Sequence, residues 1–118
     1  MHELSIAASI VESILEFAQT YPTRRVLEVR VAVGELTCVE LEQLRFCYES
    51  VTKETLIEDS TLAVERADAS VNCPHCGYSG RPKYWDNVAT LQCPSCGQAA
   101  EAVTGHECAI KGIKYANG

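Results

Sequence analysis

Residues 73–97 read CPHCGYSGRPKYWDNVATLQCPSCG, and this stretch decides how the chain is organised. It opens on Cys73-Pro74-His75-Cys76-Gly77 and closes on Cys93-Pro94-Ser95-Cys96-Gly97, two near-copies of one pentapeptide. A Cys-x-x-Cys pair brings two thiolates from one tight turn to the same ion. A second pair, delivered by a short hairpin, completes a tetrahedral sulfur shell. Each glycine falls just past the second thiolate, where the knuckle backbone needs positive φ. Four soft thiolates in a closed tetrahedron select zinc, with iron the lesser alternative. The expectation is structural zinc on Cys73, Cys76, Cys93 and Cys96, within a ribbon domain over residues 69–106.

Outward from the ribbon, the pattern alternates between helix and strand. Ile6, Ile10, Ile14 and Phe17 form one stripe over residues 4–18, with Ala7, Val11, Leu15 and Ala18 beside it, which predicts a helix ended by Tyr21-Pro22. Leu27, Val29, Val31 and Val33 alternate with Glu28 and Arg30, which predicts a half-buried strand stopping at Gly34. Leu41, Leu44, Tyr48 and Val51 repeat at helical spacing over 39–52. A short strand is expected over 61–65, with Leu62 and Val64 inward, and another over 108–115. In the last, a bulge at Gly112 would bring Ile110 and Ile113 to one face. The fold class is therefore α+β: two helices with a small sheet, and an inserted four-cysteine ribbon. The first domain takes residues 1–68 plus 107–118. Its junctions with the ribbon, near Ala67–Ser70 and Thr104–Gly105, are the expected hinges.

The chain has 118 residues, a formal net charge of −6 and 47% hydrophobic content, the composition of an ordinary globular domain. No apolar run approaches the roughly 20 residues of a membrane span, and the Met1-His2-Glu3-Leu4 start lacks the cationic region of a secretory signal. A cytoplasmic location is expected. Seven cysteines in a reducing compartment point to metal ligation and free thiols rather than disulfides. The acidic balance disfavours nucleic acid, whose affinity rests on cations. Arg81 and Lys83 are the only basic pair of the ribbon. Two rival readings remain: a zinc-ribbon module binding nucleic acid or protein, and a redox enzyme using its Cys-x-x-Cys pairs as dithiols.

His2 is the other residue with chemistry in its placement. A free α-amine, a deprotonated amide and the imidazole of residue two form fused chelate rings around one ion, and the amide nitrogen of Glu3 or an outside ligand adds a fourth nitrogen. Square-planar nitrogen suits Ni(II) or Cu(II). The plain alternative is a solvated histidine near a terminus. His75, between two thiolates, is read as solvent-facing over a tuning role, and His106 as a hinge residue over an auxiliary ligand. Cys38, Cys47 and Cys108 are read as small buried hydrophobes. Tyr84-Trp85 is read as a cover for the metal hairpin, and Glu40, Glu42 and Glu49 as a solvated helix face.

Three segments in order, Met1-His2-Glu3-Leu4-Ser5-Ile6-Ala7, Val31-Ala32-Val33-Gly34-Glu35-Leu36 and the paired knuckles, resemble the HypA/HybF family of hydrogenase-maturation proteins, as does the return strand Ala109-Ile110-Lys111-Gly112-Ile113-Lys114. The resemblance covers essentially the whole chain. It implies a nickel metallochaperone and no enzyme. Nickel is then transient cargo held by Met1, His2 and Glu3, and zinc is structural on the four cysteines. The implied partners are a GTPase maturation protein and the hydrogenase large subunit, with urease and its accessory protein served by some members. Some relatives add a histidine between the cysteine pairs; here none lies between Gly77 and Gln92.

Overall fold

A computed structural model describes residues 3–37 and 39–117. The described chain runs α1 (Glu3–Thr20), β1 (Arg24–Gly34), a 3-10 turn (Glu35–Thr37), α2 (Leu41–Thr52), β2 (Thr61–Ala67), β3 (Ser70–Asn72), β4 (Ser79–Gly80), β5 (Tyr84–Trp85), β6 (Val88–Ala89), β7 (Glu101–Thr104) and β8 (Cys108–Asn117). Strands β2-β1-β8 form one sheet, β4-β3-β7 a second, and β5-β6 a hairpin. The fold is α+β with two helices, small sheets and a four-cysteine cluster between β2 and β8 in the chain. No described helix is long and apolar enough to cross a membrane.

The chain divides into two compact units. The first takes Met1–Val31, Val39–Glu65 and Ala109–Gly118; the second takes Ala32–Cys38 and Arg66–Cys108. The second unit therefore includes the turn after β1, a segment that sequence alone leaves with the helices.

In the first unit, helix α1 buries Ile6, Ala7, Ile10, Val11, Ile14 and Ala18, the i, i+4 stripe and its neighbours, and packs against α2. Glu3 sits in its first turn, where a carboxylate complements the helix dipole. Tyr21 N–H still bonds Phe17 O at 3.0 Å, and Pro22 stops the ladder there. Helix α2 begins later than its periodicity suggests, because Glu40 caps it: its carboxylate accepts Glu42 N–H at 3.0 Å. Glu40 N–H in turn donates to the Glu3 carboxylate at 3.2 Å. Glu40 is thus a helix cap rather than one more solvated carboxylate.

Helix α2 buries Leu44, Cys47, Tyr48 and Thr52. Tyr48 is fully buried, and its hydroxyl meets Ser60 Oγ at 2.6 Å. That bond satisfies the one polar atom a buried tyrosine brings inside. In β1, Val29, Val31 and Val33 are buried as the alternation predicts, but Val26 and Ala32 are buried too while Leu27 is only half-buried. In β8, Ile113 is half-buried and Ile110 is 38% exposed, so neither is deeply buried. Cys108 is exposed, unlike the buried hydrophobe expected there. Cys38 lies outside the described residues.

Candidate metal centre

The second unit is built around one short strand, β3. Val71 pairs with Gly80 on β4 and Ala102 on β7, with an irregular register between Ser70 and Val71. Around the knuckles lies a small buried cluster, Val71, Cys73, Cys93 and Ala100, with Tyr78 packed against them, while Ala32, Val33 and Ala69 are buried elsewhere in the unit. Two of the cluster's four residues are cysteines, so the sulfur cluster occupies the centre of the ribbon part of this unit. Its two chain junctions are stitched to each other. Ser70 Oγ meets Thr104 Oγ1 at 2.8 Å, and Thr104 Oγ1 donates to Asp68 O at 3.0 Å. The expected hinges are therefore pinned together.

The two knuckles repeat one hydrogen-bond scheme. Gly77 N–H bonds Cys73 O at 3.0 Å and Cys73 N–H bonds Tyr78 O at 2.8 Å. Gly97 N–H bonds Cys93 O at 3.0 Å and Cys93 N–H bonds Gln98 O at 2.8 Å. Gly77 and Gly97 have φ of 79° and 80°, the left-handed turn that glycine adopts at low cost. In each knuckle the first cysteine is buried and the second exposed.

All four Sγ atoms lie within 4.8 Å of one another. Cys73–Cys96 and Cys76–Cys93 approach at 3.6 Å, far beyond the ~2.05 Å of a disulfide. A tetrahedron with metal–sulfur bonds of ~2.3 Å has sulfur–sulfur edges of about 3.8 Å. The cluster already has that size, so the residues fit a four-coordinate metal. Burial pushes the Cys93 thiol up, but the Cys96 and Ser95 N–H groups and the neighbouring thiols outweigh it and bring it to about 7. Gln98 N–H favours the Cys96 thiolate, yet burial and the three other cysteines push it up to about 12. Thiolates this close oppose one another's ionisation, and a cation relieves that repulsion.

A second constellation went unread in the sequence. Glu35, just after β1, accepts Ala69 N–H at 2.8 Å, the Tyr84 hydroxyl at 2.9 Å and the Arg81 guanidinium at 2.9 Å. Arg81 also pairs with Asp68 at 3.1 Å and donates to the Tyr84 hydroxyl. Burial alone would raise the Glu35 carboxyl; the Ala69 N–H, the Tyr84 hydroxyl, Arg81 and Arg66 outweigh it and hold it below the usual range. The hydrogen-bonding partners lie 34 to 49 residues away in the chain, beyond any local motif. Strand alternation turns Tyr84 toward Glu35 and leaves Trp85 71% exposed, so Trp85 does not cover the metal hairpin.

His75 and His106 are both exposed. Of the three residues read as nickel ligands, Glu3 opens α1, whereas Met1 and His2 lie outside the described residues.

The family model described as "Hydrogenase/urease nickel incorporation, metallochaperone, hypA" matches residues 1–115. The chain belongs to the HypA family. Among curated HypA proteins, the hydrogenase maturation factor HypA of Methanocella arvoryzae is 37% identical over 111 residues, covering 94% of this chain and 95% of that protein. The factor of the same name from Geotalea daltonii is 37% identical over 114 residues, covering 96% and 97%. In fold, the chain matches the solution structure of the Ni metallochaperone HypA from Helicobacter pylori with a TM-score of 0.67, at 21% identity over 97% of each chain. A second HypA solution structure matches with a TM-score of 0.71, at 19% identity over 100% of this chain and 98% of that one. The HypA family is one of nickel metallochaperones acting in hydrogenase maturation, so this chain is a maturation factor and not an enzyme.

Proposed function

We propose that this HypA-family chain carries two metals with different tasks: zinc resident in the four-cysteine cluster, and Ni(II) as cargo at the chain's start on Met1, His2 and Glu3. The observation that carries the reading is the convergence of four Sγ atoms within 4.8 Å of one another, with crosswise approaches of 3.6 Å. Four thiolates at that spacing suit zinc and leave no open position for ligand exchange. Zinc bound there supplies folding free energy to a ribbon whose own buried cluster is Val71, Cys73, Cys93 and Ala100.

A carrier also needs a site that releases its ion, and nitrogen donors in a plane favour Ni(II) over zinc. The Glu3 carboxylate is engaged by Glu40 N–H, which anchors the first turn of α1 and leaves the Glu3 backbone nitrogen as the candidate donor. The receiving machinery, on this reading, is a GTPase maturation partner and the hydrogenase large subunit. Urease, with its accessory protein, is a further recipient in keeping with the family description. The six described cysteines are unpaired, which accords with a cytoplasmic location.

The test is equilibrium dialysis against Ni(II) of protein with a native, untagged start. His2→Ala should abolish stoichiometric nickel binding while zinc stays near one per chain, and an N-terminal tag should weaken nickel uptake by consuming the α-amine. Normal nickel binding by either form overturns the N-terminal site.

A further inference from the structure

The three-stranded sheet carries a feature that neither metal reading uses. In the order β2-β1-β8, strand β8 has one strand neighbour among the described residues, and most of its ten residues are exposed. A groove of about 390 Å³ crosses the face of the sheet beside this edge, lined by Arg30 of β1, Glu65 of β2, and Lys111, Gly112, Ile113 and Lys114 of β8. Three cations face one carboxylate there, in a chain whose net charge is −6. Arg30 pairs with Glu28 at 3.2 Å, but its side chain remains 66% exposed, and such a pair contributes little. A Cβ built on Gly112 would meet nothing within 4 Å, so an approaching backbone finds open space at the middle of the strand.

We infer that the open edge of β8 takes up an acidic, extended segment of a protein partner as a further strand, with Lys111 and Lys114 on β8 and Arg30 on the adjoining sheet face supplying the positive field that selects it. An open edge supplies main-chain hydrogen bonds without regard to sequence, and flanking side chains choose the occupant. Here the choice is by sign, since the local charge opposes that of the rest of the molecule. Edge lysines also serve simply to discourage pairing between copies. That purpose needs charge only on the edge strand, whereas Arg30 belongs to the central strand β1. The cations therefore line a receptor as well as guard an edge. The inference is independent of which metal the chain carries.

The probe is a fluorescein-labelled decapeptide of alternating Glu and Val, titrated by anisotropy into the zinc-loaded full chain at low salt. It should bind, weaken as salt rises, and bind roughly ten-fold less tightly to the Lys111→Glu/Lys114→Glu variant. Arg30→Gln, on a different strand, should weaken binding in the same direction. A peptide N-methylated at alternate residues should lose binding, because it cannot complete the ladder. Absence of binding, equal binding of a Lys/Val peptide, or no effect of the charge variants overturns the inference. So does tighter binding of a single-stranded oligonucleotide, or a dimer of this chain that the lysine variant dissolves. Equal binding of the N-methylated peptide overturns the strand-addition step.

Discussion

Two glycines show how little room the second unit leaves at single positions. A Cβ on Gly34 would collide with the Gly105 carbonyl. One on Gly105 would sit 2.9 Å from Ala69 Cβ and 3.1 Å from Leu36 Cδ1, at a φ of +117° that side chains avoid. Gly105→Ala should therefore cost about 2–4 kcal/mol, and Gly34→Ala at least as much, read as lower denaturation midpoints. Tyr48 gives a milder case. Burial raises its phenol pKa, and its hydroxyl reaches Ser60, which also donates to Ile57 O at 2.6 Å. Tyr48→Phe should cost about 1 kcal/mol in chemical denaturation, because Ser60 keeps its second partner. The ring itself is the larger contributor, and Tyr48→Ala should cost roughly 3–5 kcal/mol.

At the scale of elements, the Glu35 constellation joins the turn after β1 to the β5–β6 hairpin within one unit. Glu35→Gln should cost about 1 kcal/mol, since part of the network is open to solvent. It should also speed exchange of the Ala69 amide proton. The pH dependence has a definite sign. A carboxyl held below its unfolded value stabilises the protein above that unfolded value and ceases to do so as pH falls through the depressed one. The wild-type advantage over Glu35→Gln should thus be complete at neutral pH and vanish in acid. An advantage that instead grew on acidification would contradict the assignment.

This is also where sequence reading reaches its boundary. The knuckles, the α1 stripe and the Val29–Val33 alternation are legible because each is written within a few residues. Glu35 is not, because its meaning lies in residues 34 to 49 positions away. Trp85 and Cys108 mislead for a related reason: apolar or thiol character says nothing of which strand face a neighbour covers. The cap at Glu40 is hidden because glutamate is not among the residues favoured there.

For the molecule as a whole, the contrast between the two units predicts their response to losing metal. The first has an apolar interior drawn from both helices, the sheet and the turn between α2 and β2, including Ile14, Val29, Leu44 and Ile57. The ribbon part of the second, residues 70–104, depends on a four-residue buried cluster, half of it cysteine. Chelation should disorder residues 70–104 while the helices persist, seen as collapsed amide dispersion for the ribbon with helical circular dichroism retained. Cooperative loss of both together would argue against that independence.

The distance along the chain between Glu35 and its partners has a consequence for the newly made protein. Tyr84 is 49 residues downstream of Glu35. At ordinary translation speeds the carboxylate leaves the ribosome roughly 2 to 10 seconds before its last partner does. Throughout that interval the segment after β1 lacks its full set of partners, and a nascent-chain protease or chaperone meets it incompletely latched.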